Sequence, residues 1–242
     1  MRGGASGRAP RRGRHGRPRT AGTAGTGADG RQRLPPDRAM SDAAAWDARY
    51  AGEGFQFGEA PNRYLESLAP WLRPGMRALA VGDGEGRNGV WLAAQGLRVT
   101  SLDWSAVGLA KARALAARRG VTLETVVADA ARWDWPAAAY DLIAWIFVHL
   151  PPADRHAAAQ GALRALAPGG MLALECFTPA QEGRRSGGPK DVSLLWSRTI
   201  VEAEFCGALE IVELLEGTVL LDEGPRHQGH AEVVRALLRR PG

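Results

Sequence analysis

The feature that most constrains this chain is the glycine-rich stretch "AVGDGEGRNGVWLA", which lies between a strand-like and a helix-like run. Apolar residues lead to Val81, glycines follow at Gly82, Gly84 and Gly86, and a helical pattern begins at Arg87. Glycine lets the backbone approach a ligand closely, and the first turn of a helix offers unpaired N–H groups. The pattern therefore predicts a strand, a tight turn and a helix that hold a nucleotide-like molecule, with an ordinary strand-to-helix turn as the alternative.

Strand-like and helix-like patterns alternate five times along the chain. The run "YDLIAWIFVHL" is apolar throughout, as expected for a strand that is buried on both faces. After Phe177 the alternation stops, and a long loop precedes a short helix near 199–205 and two strand-like runs over 209–221 and 231–239. Alternating strands and helices indicate a parallel sheet whose ligands bind at the carboxyl ends of its strands. We therefore predict a doubly wound, Rossmann-like α/β fold with a mostly parallel seven-stranded sheet and an antiparallel C-terminal strand.

Two helices are predicted ahead of the glycine-rich stretch. The first spans 43–50, and the second spans about 61–72 with Pro61 in its first turn. Phe57 lies in the glycine-rich loop between them, where it either covers a ligand or packs on the core.

The N-terminal residues differ in composition from the rest of the chain. Residues 1–40 contain ten Arg and two Asp, which leaves 21 basic and 24 acidic residues in the remainder. Such a segment cannot bury enough apolar surface to fold, so we predict a disordered tail over 1–39 and a single domain over 40–242. The tail is a nucleic-acid-binding arm, an organellar presequence or an extension upstream of a start at Met40, and the last interpretation is favoured. Apart from this tail, nothing predicts binding to nucleic acid.

The cysteines and the hydropathy pattern predict where in the cell the protein acts. Cys176 and Cys206 follow no metal-binding spacing, so we expect free thiols in a reducing, cytoplasmic compartment. No run of 18 apolar residues occurs, and we predict no membrane span.

A dinucleotide-binding oxidoreductase is one interpretation of the glycine-rich stretch. Gly84, Gly86 and Gly89 match G-x-G-x-x-G, and Asp103 lies at a suitable distance for a ribose carboxylate. However, the first strand already ends at Gly82, and no Tyr-x-x-x-Lys or His–Arg pair is placed for hydride transfer. An NAD-dependent enzyme is therefore possible but has no support beyond the glycines.

Several motifs in order point elsewhere. They are the glycine-rich stretch, the acidic end of the second strand at Asp103, "VVADA", "YDLIAWIFVHLPP" and "LRALAPGGMLALE". With these motifs the chain from about Trp46 to Pro241 resembles class I S-adenosylmethionine-dependent methyltransferases. "WDARY", "FGEAPNRYL", "GEGRN" and "FVHLPP" resemble the compact bacterial tellurite-resistance type, a family that methylates tellurite, selenite or small thiols.

The resemblance implies a set of residues that bind S-adenosylmethionine. Asp103 is expected to accept both ribose hydroxyls, Trp104 to lie against adenine, and Asp129 with the Ala130 N–H to hold the adenine edge. Family members usually carry an acidic residue where this chain has Ala80, so Asp83 is the candidate for the ammonium group. The full predicted set is Gly82, Asp83, Gly84, Gly86, Arg87, Asn88, Asp103, Trp104, Asp129, Ala130 and Phe147.

The acceptor site is predicted at the strand ends and in the long loop. His149, just after the fourth strand, is the candidate catalytic base or acceptor ligand, with a structural histidine as the alternative. Arg184, Arg185 and Lys190 in the loop are candidates for drawing in an anionic substrate, together with Phe57 on the other side. His227 and His230 follow no recognised zinc spacing, so no metal is predicted.

A soft nucleophile needs little acid–base assistance, so the expected acceptor is a small thiol or chalcogen oxyanion. A small O- or N-nucleophile is the alternative acceptor. An enzyme that modifies nucleic acid or protein is less well supported, because the chain has no "NPPY"-type motif after its fourth strand.

Overall fold

The computed structural model describes residues 43–242, together with Met1, Gly3, Gly4 and Gly7. The predicted tail over 1–39 therefore lies, apart from these four residues, outside the described part of the chain. Over the described residues, no helix has both the length and the apolar character needed to cross a membrane.

Seven strands form one sheet, and helices cover both of its faces. The helices are α1 Ala43–Tyr50, α2 Arg63–Ser67, α3 Arg87–Ala94, α4 Ala106–Arg118, α5 Pro152–Ala165 and α6 Arg198–Phe205, and short 3₁₀ turns occupy Ala69–Trp71, Pro179–Gln181 and Val192–Leu194. The strands are β1 Arg77–Val81, β2 Arg98–Asp103, β3 Glu124–Val127, β4 Tyr140–Ile146, β5 Leu166–Phe177, β6 Glu210–Asp222 and β7 Gln228–Arg239.

The strand order is β3-β2-β1-β4-β5-β7-β6. The first five strands in this order pair in parallel, whereas β7 pairs antiparallel with both β5 and β6. This topology confirms the predicted doubly wound fold with its antiparallel C-terminal part. The order reverses between β1 and β4, and ligands bind beside such a switch point, outside the carboxyl ends of the strands.

The central strand β4 shows why the sheet takes this form. Its residues Leu142 to Ile146 are all buried, and apolar clusters pack against it from both sides. One cluster includes Trp145, Trp196 and Phe205, and the other includes Leu65 and Leu92. A strand that is apolar along its whole length is therefore buried on both faces only at the centre of the sheet.

Two predicted boundaries are wrong. The helix expected over 61–72 is interrupted, because Pro70 lacks the N–H that would continue the helical hydrogen bonding, and a 3₁₀ turn follows α2. The sequence "PADRHAAAQGALRALAPGG" predicts a helix closed by Pro168, Gly169 and Gly170, but α5 ends at Ala165 and β5 begins at Leu166 with extended dihedral angles. Leu166 pairs with Tyr140 of β4, and Pro168 disfavours helical geometry at Ala167, so both residues belong to the strand.

Candidate functional site

A cavity of about 690 Å³ opens at the carboxyl ends of β1 and β4, beside the point where the strand order reverses. Its volume falls in the range of cofactor and small-molecule sites. Nine of the sixteen predicted site residues line it: Phe57, Gly82, Asp83, Arg87, Asn88, Trp104, Phe147, His149 and Arg185. The other seven, which are not among the residues lining the cavity, are Gly84, Gly86, Asp103, Asp129, Ala130, Arg184 and Lys190.

The glycine loop, residues 82–86 between β1 and α3, is hydrogen-bonded to Asp103 at the end of β2. The Gly84 N–H donates to Asp103 Oδ2 at 2.9 Å, and the Ser105 N–H donates to Oδ1 at 2.8 Å. Burial raises the pKa of Asp103 to about 6, although both hydrogen bonds favour its ionised form. Each oxygen keeps a further lone pair, so the carboxylate retains the capacity to accept ribose hydroxyls.

Two glycines of the loop are required by close contacts. Gly86 has φ +88°, and a Cβ there would lie 2.5 Å from Ala112 Cβ. Gly84 has φ +55°, and a Cβ would lie 2.5 Å from the Tyr50 hydroxyl oxygen. The loop therefore lies close against α4 on one side and the α1 side chain of Tyr50 on the other. The sequence analysis missed Tyr50, which lines the cavity, although its position four residues after Trp46 places both on one face of α1.

Both oxygens of the buried Asp83 carboxylate accept hydrogen bonds from other residues of the protein. Ser101 Oγ donates to Asp83 Oδ2 at 2.5 Å, and the Gly89 N–H donates to Oδ1 at 3.1 Å. Burial raises the pKa of this carboxyl group. Asp83 thus joins the loop to β2 and to the first turn of α3, and its role as an ammonium ligand stays a prediction.

Arg87 and Asn88 begin α3 and belong to a buried polar network. Arg87 Nη1 lies 2.8 Å from Glu223 Oε2, and both side chains are less than a tenth exposed. Asn62 Nδ2 donates to Glu223 Oε1 at 3.0 Å and to Glu175 Oε1 at 2.9 Å, while its backbone N–H donates to Asn88 Oδ1. The sequence-based prediction gave Arg87 as a cofactor-binding residue. In the structure its charge is already paired by the carboxylate of the β6–β7 turn.

The adenine-end candidates lie on the turn after β3. Asp129 accepts from the Ala131 N–H at 2.9 Å and forms an ion pair with Arg132. The Ala130 carbonyl accepts from Trp135 Nε1 at 2.9 Å. These contacts fix the turn, and binding of adenine there stays a prediction.

Two of the predicted loop cations do not face the cavity. Arg184 forms an ion pair with Glu232 of β7, and Lys190 is exposed to solvent. Arg185 does line the cavity and is exposed, and Arg226 of the β6–β7 turn joins it there. Neither Arg184 nor Lys190 is among the residues that line the cavity, and their role in drawing in an anionic substrate stays a prediction.

His149 has the geometry of a neutral hydrogen-bond acceptor. Its Nδ1 lies 3.2 Å from the Leu194 carbonyl oxygen, so this nitrogen carries the proton and donates it. Its Nε2 is buried without a partner among the described residues. Burial lowers the pKa of His149 to about 4, which keeps the imidazole neutral at pH 7. His149 lines the cavity, and its Nε2 lone pair is left to accept a hydrogen bond.

His227 is the second histidine on this wall, and the sequence analysis considered it only as a metal ligand. It lies 5% exposed just before β7, within 5 Å of the Phe57 and Phe147 rings by centroid distance. Nothing in the local sequence identified it, because the β6–β7 hairpin alone brings it to the strand ends. Within residues 43–242, no group of three or more His, Cys, Asp or Glu side chains is arranged to hold a metal ion.

Residues 78–170 match a family profile described as "Methyltransferase domain". The match confirms the prediction of an enzyme of this class, and it supports S-adenosylmethionine as the cofactor of the cavity.

Solved structures share the fold of this chain. One, from work on conversion of a disulfide bond into a thioacetal group during echinomycin biosynthesis, is 22% identical with a TM-score of 0.67, covering 83% of this chain and 93% of that one. The N-methyltransferase NodS from Bradyrhizobium japonicum WM9, in complex with S-adenosyl-L-homocysteine, is 19% identical with a TM-score of 0.65, covering 83% and 98%. TehB from Haemophilus influenzae is 16% identical with a TM-score of 0.62, covering 82% and 66%. Comparison with curated proteins gave no match.

Proposed function

We propose that this chain transfers the methyl group of S-adenosylmethionine to a small-molecule sulfur, selenium or tellurium nucleophile that binds beside His149. The observation that carries the proposal is the buried, unpartnered Nε2 of a neutral His149 on the wall of the cavity that the glycine loop also lines. When bound, S-adenosylmethionine supplies an electrophilic methyl carbon on a sulfonium.

The residues on the glycine-loop side suit this cofactor. Asp103 provides a buried carboxylate with lone pairs for two hydroxyl groups, and Trp104 provides an aromatic surface on the cavity wall. The loop lies against Tyr50 so closely that no Cβ fits at Gly84. We propose that Asp103 holds the ribose, that Trp104 packs on the adenine and that Asp129 contacts the adenine edge.

The residues on the acceptor side position a nucleophile and exclude water. His149 orients the acceptor by accepting a hydrogen bond at Nε2, and the acceptor loses its proton to water. Phe57 and Phe147 pack against His227, and these rings make this part of the cavity wall apolar. Positioning and desolvation supply most of the rate for a soft nucleophile, so one neutral imidazole is sufficient.

The two free cysteines agree with a reducing environment, and we propose that the enzyme acts in the cytoplasm. Cys176 is buried and Cys206 is partly buried, and both are thiols.

The test is a methylation screen of the full chain with S-adenosylmethionine and a panel of thiols, selenite, tellurite and small amines. We expect S-adenosylhomocysteine and a methylated chalcogen product, detected by mass spectrometry. His149→Gln should lower kcat at least tenfold and leave the affinity for S-adenosylhomocysteine unchanged. His156→Gln is the matched control, because His156 is exposed on α5 and pairs with Glu204. Methylation of amines alone, or a His149→Gln variant with wild-type kcat, would contradict the proposal.

A further inference from the structure

Besides the paired Arg87, three arginines in the described part of the chain line the cavity, and they come from three separate segments. Arg49 lies on α1, Arg185 in the loop after β5 and Arg226 in the turn between β6 and β7. Arg185 and Arg226 are exposed and Arg49 is partly buried, so these side chains lie where the cavity meets solvent. We call the three side chains the arginine rim. Guanidinium groups hold carboxylates and phosphates by paired, charge-assisted hydrogen bonds.

The loop that carries Arg185 is packed against the turn that carries Arg226. A Cβ at Gly187 would lie 2.9 Å from the Arg226 carbonyl oxygen, so the two backbones are in close contact. The buried Ser186 hydroxyl donates to the His230 carbonyl oxygen of β7 at 2.7 Å. These contacts fix the backbone on both sides of the cavity wall from which the two arginines extend.

The other members of the arginine rim are held by polar and aromatic contacts. Arg226 Nε donates to Gln56 Oε1 at 2.8 Å, which joins the turn to the loop after α1. Arg49 Cζ lies 4.3 Å from the centroid of the Trp46 ring, and that ring packs on Phe57 at 6.3 Å. A ligand therefore meets guanidinium groups that are already positioned, and this lowers the entropy cost of binding.

The charge of the arginine rim is not neutralised by the carboxylates of the cavity wall. Among the described residues, no carboxylate forms an ion pair with Arg185 or Arg226. The carboxylates that line the cavity have other partners: Asp83 accepts from Ser101, Glu85 pairs with Lys111, and Asp191 accepts from the Ser193 N–H. Burial and, second, the positive charge of Arg226 lower the pKa of Arg49. Like charges repel one another, and an anion bound between them removes that repulsion.

An apolar surface adjoins the arginine rim. His227 follows Arg226 directly in the chain, and its ring lies 4.8 Å from the Phe57 ring and 4.5 Å from the Phe147 ring by centroid distance. All four side chains line the cavity. A ligand that matches both surfaces has an apolar body and an anionic group at one end.

We propose that the arginine rim binds a carboxylate or phosphate group at one end of the methyl acceptor, whose apolar body packs on Phe57, Phe147 and His227. The anionic group is not the atom that is methylated, because it stays at the rim while the nucleophile lies beside the buried His149. This inference rests on the proposed methyl transfer and adds the charge and shape of the acceptor. Arg185 and Arg226 then determine which acceptors bind.

The first test measures binding without catalysis. Titration calorimetry of the full chain, saturated with S-adenosylhomocysteine, compares 2-naphthylacetate and 2-naphthyl phosphate with the uncharged 2-naphthylacetamide. We expect at least one of the two anions to bind about tenfold more tightly than the amide, and added salt to weaken the binding of the anions alone. The tighter anion identifies the group as a carboxylate or a phosphate. Affinities of both anions no greater than that of the amide would overturn the inference.

The second test uses variants of the arginine rim. Arg185→Gln and Arg226→Gln should each weaken the tighter anion about threefold and leave the amide and S-adenosylhomocysteine unchanged. Arg164→Gln is the matched control, because Arg164 is exposed on α5 and does not line the cavity. Both rim positions are exposed, so circular dichroism should show an unchanged fold.

Two results of the variant test would overturn the inference. One is an affinity for the anion equal to that of Arg164→Gln. The other is weaker binding of S-adenosylhomocysteine in place of the anion, which would show that the rim holds the carboxylate of the cofactor. Binding of the anion at the rim with no methylation of any acceptor would instead refute the proposed function, so the two failures are distinguishable.

Discussion

Replacing Glu223 by glutamine should destabilise the fold more than any surface charge change. The Glu223 carboxylate lies 2.8 Å from Arg87 Nη1, and it accepts from Asn62 Nδ2 and from the Arg63 N–H at 3.0 and 2.9 Å. The variant leaves the Arg87 guanidinium buried without a charged partner, and breaking a buried pair in this way costs about 3–5 kcal/mol. For a chain of this size that cost lowers Tm by about 6–20 °C.

The pH dependence of the unfolding free energy gives a second estimate of how much the Glu223 carboxylate stabilises the fold. Burial alone would raise the pKa of Glu223, but His227, Arg87 and the Arg63 N–H lower it from 4.5 to about 2. His227 is 4.0 Å away, too far for a hydrogen bond, so Arg87 and the Arg63 N–H account for most of this effect. The shift corresponds to about 3 kcal/mol of stability. Because the folded pKa is depressed, this stability is present above pH 4.5 and is lost as the pH falls through about 2.

Urea unfolding of the wild type and of Glu223→Gln, followed by circular dichroism between pH 7 and pH 3, measures both effects. We expect the difference in unfolding free energy to be largest at pH 7 and to shrink below pH 4.5. Glu202→Gln is the matched control, since Glu202 lies 3.6 Å from Arg198 on exposed α6 and should cost at most about 0.5 kcal/mol. A Glu223→Gln variant as stable as Glu202→Gln, or a difference that does not depend on pH, would refute the reasoning.

Three further predictions test other parts of the account. Gly86→Ala places a Cβ 2.5 Å from Ala112 Cβ at a positive φ, so calorimetric unfolding should show a loss of at least about 2 kcal/mol, and an unchanged Tm would contradict this contact. Asp103→Asn removes the charge of the ribose acceptor, so titration calorimetry should show S-adenosylhomocysteine binding weakened by about 2–4 kcal/mol, and equal affinity in a folded variant would exclude that role. Deletion of residues 1–39 should leave Tm and cofactor affinity unchanged, because that segment has no apolar face for a core, and a lower Tm would show otherwise.

Much of the fold was predictable because its determinants are local. The glycine loop, the Ser105 cap of α4 and the apolar β4 run each specify their own conformation, and the alternation of elements then implies the parallel sheet. The antiparallel hairpin was also predicted, from glycines that punctuate two strand-like runs. The error at the end of α5 arose because its sequence remains helix-compatible beyond Ala165.

The acceptor side was less predictable because its contacts are distant in sequence. Arg87 and Glu223 are separated by 136 positions, and no local pattern identifies them as partners. His227 likewise enters the site through the β6–β7 hairpin, beside a Phe57 that lies before β1. The positive charge of the loop predicted substrate binding, and of its three predicted cations Arg185 lines the cavity whereas Arg184 and Lys190 do not.

The central claim is that this cavity binds S-adenosylmethionine for methyl transfer, and the most direct test is titration calorimetry of the full chain with S-adenosylhomocysteine and with NAD⁺. The account predicts one-to-one binding of S-adenosylhomocysteine that is at least tenfold tighter than binding of NAD⁺. Tighter binding of NAD⁺, or no binding of S-adenosylhomocysteine by the folded protein, would contradict it.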